Sequence, residues 1–493
     1  MNAPHEFSLP QLKDPSLFRS QCYIDGVWVD ADGGARADVD NPADGSIIGS
    51  VPHMGAAEAR RAIDAAAAAL PAWRALTAKA RAALLMKWYH LMLEHQDDLA
   101  QILTAEQGKP LAEAKGEILY GASFIEWFAE EGKRIYGDVI PQHIPSARLL
   151  VLKQPIGVCA AITPWNFPNA MITRKAGPAL ASGCTMVLKP AEQTPFSALA
   201  LALLAHRAGI PKGVFNVITG DAPAIGNELC ANPIVRKMTF TGSTEVGRIL
   251  MRQCADTIKK LSLELGGNAP FIVFDDADID AAVEGAVACK YRNAGQTCVS
   301  ANRIFVQSSV YDAFAAKLAA KAQALKVGPG TEAGVNVGPL INEDGIAKVE
   351  EHVADALAKG AKVLVGGKRD ATGKLYFQPT VMTGVTRDMR VMREETFGPV
   401  APLVRFNTEQ EAIDLANNTE FGLAGYFYSR DIGRIFRVAE AIETGMVAVN
   451  SGILSTEVVP FGGVKQSGLG REGSKYGIED YLEIKYLMIG GIN

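Results

Sequence analysis

Hydrophobic residues recur every three or four positions between residues 56 and 132, as Leu84, Trp88 and Leu91 illustrate. This spacing is typical of an α-helix with one buried face. It predicts three helices, at residues 56–70, 79–106 and 111–136. From residue 143 to residue 153 apolar and polar residues loosely alternate instead, which predicts a strand or hairpin arm lying on a surface.

Beyond residue 156, short apolar runs typical of strands alternate with helical segments in two successive series. The first series predicts strands at 157–162, 185–188, 214–217, 235–240 and 261–265, separated by helices at 169–181, 195–208, 223–230 and 243–254. The second predicts strands at 271–274, 304–306, 363–365, 426–428 and 446–449, with helices at 278–291, 311–325, 346–358, 409–416 and 432–441. Serial strand and helix units form parallel sheets flanked by helices, so we expect two α/β domains.

A β-like segment at 481–488 follows the Gly-rich loop at 461–473 and has no later strand of its own. An unpaired strand leaves a row of backbone donors and acceptors unsatisfied. We therefore expect this segment to pair with the arm or with another subunit.

Charge and cysteine content exclude several classes of protein. The chain has 493 residues, 49 Lys and Arg against 54 Asp and Glu, and a formal charge of −5. No basic run is present, so neither a nucleic acid nor a membrane surface is expected as a partner. The seven cysteines are scattered without a Cys-x-x-Cys pair, which argues against disulfides and against a zinc or other metal site. No apolar run fits a signal peptide, so we expect a cytoplasmic protein.

Two segments are candidates for binding a dinucleotide. A literal Gly-x-Gly-x-x-Gly at 468–473 has no preceding strand and too little chain after it, so we interpret it as a chance match. Thr241-Gly242-Ser243 ends one predicted strand and opens a helix, whose free amides attract an anion. Lys189 and Glu192 follow another predicted strand, where Glu192 could accept ribose hydroxyls. The plain alternatives are a helix N-cap at Ser243 and a surface ion pair at Lys189.

Cys298 is the candidate nucleophile because it lies in a loop beside Gly295, whereas Cys159, Cys184 and Cys289 lie in apolar runs. No histidine has a Gly-rich or strand-end context, which disfavours a Cys-His pair. Glu264, flanked by apolar residues, is the candidate base, because burial raises the pKa of a carboxyl. The alternatives are an inert cysteine and a Glu buried in an ion pair.

Two Pro-containing loops add weaker signals. Asn166, between Pro164 and Pro168, could donate its amide to a developing oxyanion. A second loop, at 395–399, enters a strand of the second series. Each loop alone is equally consistent with a turn.

Taken together, the chain resembles the aldehyde dehydrogenase superfamily over almost its whole length. The resemblance rests on six motifs in that family's order and spacing: Pro-Trp-Asn-Phe-Pro, Lys-Pro-Ala-Glu, Phe-Thr-Gly-Ser, Glu-Leu-Gly-Gly, Gly-Gln-Thr-Cys and Glu-Thr-Phe-Gly-Pro. It implies a Rossmann-like coenzyme-binding domain (1–129 and 151–266), an α/β catalytic domain (267–474) and a small β oligomerisation arm (130–150 and 475–493). It also implies NAD or NADP as coenzyme and a homo-oligomer, either a dimer or a dimer of dimers (a homotetramer).

The resemblance also implies roles for individual residues. Cys298 would be the nucleophile, Glu264 the general base, and Asn166 with the Cys298 backbone N–H the oxyanion hole. The coenzyme would be held by Trp165, Lys189, Glu192, Thr241, Gly242, Ser243, Glu395 and Phe397. Thiolate addition to an aldehyde gives a thiohemiacetal oxyanion, whose collapse expels hydride and leaves a thioester for hydrolysis.

Further stretches are similar to the succinate-semialdehyde dehydrogenase subfamily, among them 171–175, 291–293, 450–455 and 467–477. In that subfamily the residues matching Arg174, Arg292 and Ser455 hold the distal carboxylate of the substrate. A guanidinium binds a carboxylate through two parallel hydrogen bonds, which agrees with this role. The expected substrate is succinate semialdehyde, with glutarate semialdehyde or another ω-carboxylated aldehyde as the alternative.

The chain departs from the subfamily pattern at two positions. Many members have Cys two residues after the nucleophile, where this chain has Ser300, so a disulfide between those positions is excluded. Some bacterial relatives have Ser at the position of Glu192. A carboxylate there repels a 2′-phosphate, so we expect NAD rather than NADP. Rival functions are a catalytically inactive structural protein and a thioester or ester hydrolase, and the intact residue sets argue against both.

Overall fold

The computed structural model describes residues 10–492. Residues 1–9 and 493, the outer ends of the expected coenzyme-binding domain and arm, lie outside the described residues. The α-helices are α1 (Ala56–Ala75), α2 (Ala78–Glu94), α3 (Gln96–Gln107), α4 (Leu111–Glu131), α5 (Ala170–Ser182), α6 (Pro195–Arg207), α7 (Ala222–Ala231), α8 (Thr244–Ala255), α9 (Ile279–Tyr291), α10 (Tyr311–Gln323), α11 (Glu343–Ala358), α12 (Arg390–Arg393), α13 (Glu409–Asn417), α14 (Ile432–Ala441) and α15 (Ser474–Gly477).

Strands from every part of the chain build the sheets. They are β1 (Cys22–Ile24), β2 (Val27–Val29), β3 (Arg36–Asp40), β4 (Ile47–Pro52), β5 (Asp138–Ile140), β6 (Ala147–Pro155), β7 (Val158–Ile162), β8 (Thr185–Lys189), β9 (Phe215–Val217), β10 (Val235–Thr241), β11 (Lys260–Glu264), β12 (Ala269–Val273), β13 (Ala301–Gln307), β14 (Lys362–Val365), β15 (Thr380–Thr383), β16 (Val400–Phe406), β17 (Phe421–Gly422), β18 (Ala424–Tyr428), β19 (Met446–Val449), β20 (Val464–Lys465), β21 (Gly468–Leu469) and β22 (Leu482–Gly490).

The first large sheet has the strand order β2-β1-β9-β8-β7-β10-β11-β21. Its five central strands, β9 to β11, run parallel, as the first series predicted. The edge strands β1, β2 and β21 are antiparallel, so the prediction of a purely parallel sheet was wrong there. These edge strands have two or three residues each, too few for a periodic pattern to show.

The second large sheet has the order β14-β15-β16-β13-β12-β18-β19. The expected placement of residues 363–365 in a parallel series was wrong, since β14 pairs antiparallel with β15. No helix separates these two strands, and a parallel connection needs a crossover of that kind. The sequence analysis also missed β15 and β16, although both are largely buried.

The arm is a three-stranded sheet in the order β22-β6-β5. The pairing of β22 with β6 runs without interruption from Leu482 opposite Pro155 to Gly490 opposite Ala147. This confirms that the segment at 481–488 pairs with the arm. The single helix expected at 79–106 was wrong, because the chain breaks at His95 into α2 and α3.

Parallel strands place the candidate site. The carboxyl ends of β7, β8, β10 and β11 lie at one edge of the first sheet, and Glu264 ends β11. Only residues 265–268 separate β11 from β12, the first central strand of the second sheet. The chain is therefore an α/β protein, as expected from sequence, and its candidate residues lie where the two large sheets meet. The division at residues 129, 150, 266 and 474 stays a prediction. No helix within residues 10–492 is both long enough and apolar enough to cross a membrane.

Candidate active site

A cavity of about 780 Å³ collects side chains from both large sheets and from α4 and α5. All but two of the residues proposed from sequence line it: Cys298, Glu264, Asn166, Trp165, Thr241, Gly242, Ser243, Glu395, Phe397, Arg174, Arg292 and Ser455. The exceptions are Lys189 and Glu192. Widely separated motifs are thus brought into one site.

A strained turn presents Cys298 to the cavity. Asn293, Ala294 and Gly295 have φ values of 52°, 55° and 75°, three left-handed residues in succession. A Cβ on Gly295 would lie 2.2 Å from the carbonyl oxygen of Gly398, so no side chain fits there. Cys298 is partly exposed, whereas the other six cysteines are buried. The predicted distinction between one accessible thiol and six enclosed ones is confirmed.

The thiol of Cys298 is protonated at neutral pH in this environment. Burial raises its pKa to about 12, and the carboxyls of Glu395 and Glu264 act in the same direction. The guanidinium groups of Arg174 and Arg292 lower the pKa, but by less. A thiolate therefore forms only if a base takes the proton or a further positive charge enters the site.

Alkylation of Cys298 by iodoacetamide in the coenzyme-free protein should accelerate about tenfold per pH unit from pH 7 to pH 10. The thiolate is the reacting form, and its fraction grows tenfold per unit below the pKa. Mass spectrometry of the peptide containing Cys298 measures the rate. A plateau below pH 8 would contradict the raised pKa of this thiol.

Glu264 is a buried carboxyl with an unused oxygen. Its side chain is 3% exposed, and Oε2 has no hydrogen-bond partner. Burial and the nearby charge of Glu472 raise its pKa well above the ordinary range. A carboxylate with a raised pKa is a stronger proton acceptor, so the group suits base chemistry once it is ionised. Among the residues that line the cavity none is a histidine.

Asn166 is fixed from both its backbone and its side chain. Its carbonyl oxygen accepts hydrogen bonds from Lys109 Nζ at 2.7 Å and from Asn293 Nδ2 at 3.0 Å. Its Nδ2 donates to the carbonyl of Gln296 at 3.0 Å. An amide carries two hydrogens on nitrogen, so one is left for a ligand oxygen.

Lys109 and Glu117 hold this arrangement in place, and the sequence analysis missed both. They form an ion pair of 2.6 Å with each side chain about 1% exposed. Glu117 also accepts from the backbone N–H of Asn169, at the start of α5, at 2.9 Å. The two residues are eight positions apart on different segments, and no sequence pattern indicates such a pair.

Another part of the cavity wall, the proposed nucleotide end, is formed by Trp165, Phe397, Glu395, Thr241 and Ser243. The rings of Trp165 and Phe397 meet edge to face with centroids 5.5 Å apart. Glu395 accepts from the backbone N–H of Gly267 at 3.0 Å, and burial raises its pKa to about 7. The Thr241 hydroxyl is buried without a partner. Ser243 is the N-cap of α8, which was the alternative to a phosphate site in the sequence. It also lines the cavity.

Lys189 and Glu192 lie beside this end rather than in it. Lys189 ends β8, is 2% exposed and forms an ion pair with the half-exposed carboxylate of Glu192. The carbonyl of Lys189 accepts from the N–H of Thr163 at 3.1 Å, next to the loop that carries Trp165. The ion pair that was the alternative interpretation of Lys189 is thus formed. It lies at the carboxyl end of β8, where a ribose site was expected.

Arg174 and Arg292, the two arginines proposed to hold a substrate carboxylate, differ in their surroundings. Arg174 is 2% exposed, lies 3.9 Å over the ring of Phe461 and forms an ion pair of 2.9 Å with Glu472. Glu472 therefore shares the positive charge of Arg174, and the role of Arg174 in holding a substrate carboxylate stays a prediction. Arg292 has no carboxylate within 4.0 Å in the described part of the chain. Tyr120, missed from sequence, lines the same cavity with its hydroxyl unpaired.

The Gly-rich segment 468–473 packs against β11, the strand that ends at Glu264. The expectation that no strand precedes it was wrong, since the two-residue strand β20 ends at Lys465, and β21 at the start of the segment pairs with β11. A Cβ on Gly468 would lie 1.8 Å from the carbonyl oxygen of Leu263, so only glycine allows this pairing. Glu472, in the same segment, bonds to Lys175 as well as Arg174. These glycines serve close backbone packing, and the helix that follows, α15, has four residues.

Comparisons with known proteins agree with this geometry. Residues 28–487 match the model of the aldehyde dehydrogenase family. A glutarate-semialdehyde dehydrogenase of Pseudomonas aeruginosa is 69% identical, covering 98% of this chain and 100% of its own. A succinate-semialdehyde dehydrogenase of Escherichia coli named for NADP(+) is 68% identical, covering 97% and 100%. The crystal structure of an E. coli NADP-dependent enzyme superposes with a TM-score of 0.97 at 68% identity, covering 97% and 100%.

The matched range, residues 28–487, includes Cys298, Glu264, Asn166 and the residues at the nucleotide end of the cavity. The chain belongs to the aldehyde dehydrogenase family.

Proposed function

We propose that the protein oxidises succinate semialdehyde to succinate, with NAD or NADP, the coenzymes of its family, as the oxidant. The observation that carries the proposal is the presence of Arg174, Arg292 and Ser455 in the cavity that holds Cys298. Both guanidinium groups lie near enough to lower the pKa of that thiol. An aldehyde carbon on Cys298 and a carboxylate on the arginines can thus be bound together.

The chain's own residues account for the covalent chemistry. Ionised Glu264 accepts the thiol proton of Cys298 and releases it to solvent, the sulfur adds to the aldehyde carbon, and the carbonyl oxygen gains the negative charge. The free amide hydrogen of Asn166 and the Cys298 N–H are the donors for that oxygen. Oxidation leaves a thioester on sulfur. Glu264 then takes a proton from water, whose oxygen attacks the thioester and releases the acid and the thiol.

The nucleotide end of the cavity fits the coenzyme of this family. Thr241 offers a buried hydroxyl without a partner, and the first turn of α8 offers free backbone amides. We propose that these groups hold the pyrophosphate, that Glu395 holds the nicotinamide ribose, and that Lys189 and Glu192 hold the adenosine ribose. When bound, the coenzyme supplies the acceptor for the hydride that leaves the substrate carbon.

Glutarate semialdehyde is the second candidate substrate. The P. aeruginosa relative is named for it at 69% identity, and the E. coli relative for the succinate compound at 68%. One methylene group changes binding by about 1–3 kcal/mol, so a cavity that holds the far carboxylate can use both chain lengths. Purified enzyme should convert either semialdehyde to the matching dicarboxylate with one reduced coenzyme formed per aldehyde. Absence of carboxylate product would reject the proposal.

We propose NAD as the preferred coenzyme because of Glu192. Its carboxylate repels a 2′-phosphate, and it engages Lys189, the cation that such a phosphate would use. Glu192→Ser should move the ratio of kcat/KM with NADP to that with NAD toward NADP by about tenfold or more. Glu192→Gln, which removes charge but keeps shape, should give part of this shift. A wild-type preference for NADP of tenfold or more would contradict the assignment.

We propose that the arm joins subunits into a dimer or a dimer of dimers. Strand β22 is an edge strand, and its Ile484 and Tyr486 are 70% and 58% exposed. Val139 on β5, at the other edge, is 78% exposed. An exposed apolar sheet edge is a surface that pairs with another chain. Ile484→Lys with Tyr486→Lys should lower the mass measured by light scattering, and an unchanged oligomer would contradict this role of the arm.

A further inference from the structure

A second cavity, of about 350 Å³, is lined by three arginines: Arg303, Arg387 and Arg393. Its remaining walls are Met392, Leu415 and Asn418, none of them acidic. Within residues 10–492 no carboxylate lies within 4.0 Å of any of the three guanidinium groups. Three positive charges thus line one concave space whose wall holds no carboxylate.

Arg303 is the buried member of the group, at 1% exposure. It donates to the carbonyl of Asn268 from Nε at 3.0 Å and from Nη2 at 2.7 Å. It also donates to Leu415 O at 2.8 Å and to Ala416 O at 2.9 Å, in the last turn of α13. These four bonds leave one of its five N–H groups, on Nη1, without an acceptor.

The charge of Arg303 is only partly compensated. Carbonyl oxygens at a helix C-terminus carry partial negative charge, well short of a full carboxylate. Burial lowers the pKa of the Arg303 guanidinium to about 9, and no neighbouring acid opposes this. The group is still a cation at neutral pH. A buried cation of this kind is stabilised by any anion that enters the adjoining space.

Arg387 and Arg393 face the same space from the segment around α12, and both are exposed. Their one mutual bond, from Arg393 Nε to the carbonyl of Arg387, is 3.4 Å long. The acid whose pKa Arg393 lowers, Asp388, is not part of the cavity wall. Two exposed cations and one buried cation therefore remain available for a ligand.

We infer that this cavity binds a small anion that carries at least two negative charges, either a phosphorylated metabolite or a polycarboxylate. Arginine forks suit both phosphate and carboxylate oxygens, and three of them exceed what a monoanion needs. The site is separate from the catalytic cavity, with which it shares no lining residue. It therefore goes beyond the proposed oxidation of an aldehyde.

Calorimetric titration of the NAD-saturated enzyme with inorganic pyrophosphate, and separately with citrate, tests the site. Saturation with NAD fills the coenzyme's own phosphate site. We expect saturable binding of at least one of the two anions, and Arg387→Gln with Arg393→Gln should raise its Kd at least tenfold. Tighter binding of pyrophosphate supports a phosphorylated ligand, and tighter binding of citrate supports a polycarboxylate.

Matched controls separate this site from general charge effects. Arg236, on β10, is exposed and lies outside both cavities, so Arg236→Gln should leave the Kd unchanged. Arg292→Met should also leave it unchanged, since that residue lines the catalytic cavity. Melting temperatures of the exposed-arginine variants should match wild type. No saturable binding of either anion, or an affinity unaffected by the double substitution, would overturn the inference.

Discussion

Cys298→Ala should abolish both the dehydrogenase activity and any esterase activity of the enzyme, by at least about ten-thousandfold in kcat. Both reactions need a covalent bond to sulfur, so both depend on the same atom. Rapid-mix and steady-state assays with succinate semialdehyde and with 4-nitrophenyl acetate measure the two losses. The variant should still bind NAD, because Cys298 is not among the residues proposed to hold the coenzyme.

A matched substitution distinguishes loss of the nucleophile from loss of the fold. Cys254, on α8, is also a cysteine in the first α/β unit but is remote from the cavity lining. Cys254→Ala should therefore retain most of the activity. Turnover by Cys298→Ala above about one per cent of wild type would mean that another group carries the chemistry.

Arg292→Met should lower kcat/KM for succinate semialdehyde by about ten- to hundredfold while leaving butanal nearly unchanged. A hydrogen-bonded contact between a guanidinium and a carboxylate contributes about 1.5–3 kcal/mol, and each 1.4 kcal/mol is tenfold in affinity. Butanal has no carboxylate, so it serves as the internal control for the active-site fold. Arg292→Lys keeps the charge without the fork and should give an intermediate loss.

Arg292 is a cleaner test than Arg174 because of Glu472. Removing Arg174 leaves that carboxylate buried with Lys175 alone, which changes both folding and the charge felt by Glu264. Arg292 forms no such ion pair among residues 10–492, although its charge partly offsets the rise that burial causes in the pKa of Glu113. If Arg292→Met reduced activity on both aldehydes equally, the residue would be structural and the substrate assignment would lose its main support.

The sequence predicted elements with long periodic patterns and residues within short contiguous motifs. Serial strands such as β8 and β10 appear where the apolar runs lie, and the motif residues converge because parallel strands end at one edge. Edge strands of two or three residues left no pattern. The turn before Cys298 was also hidden, because left-handed φ values at Asn293 and Ala294 are uncommon for residues other than glycine.

Long-range ion pairs were the other part that sequence could not show. Arg174 meets Glu472 only because distant segments of the chain fold against each other, and Lys109, which lies before α4, meets Glu117 eight residues later within that helix. A local pattern indicates that a charged residue is buried, but not which partner it has. The surroundings of Ser300 were likewise hidden. The sequence excludes a disulfide between this position and Cys298, but only the structure shows that the Ser300 hydroxyl is buried without a partner.

The central claim is that the cavity selects aldehydes by a distal carboxylate. The most direct test is the ratio of kcat/KM for succinate semialdehyde to that for butanal, measured with wild-type enzyme at saturating NAD. Two arginines acting on one carboxylate predict a ratio of at least about a hundred. A ratio near one would contradict the account.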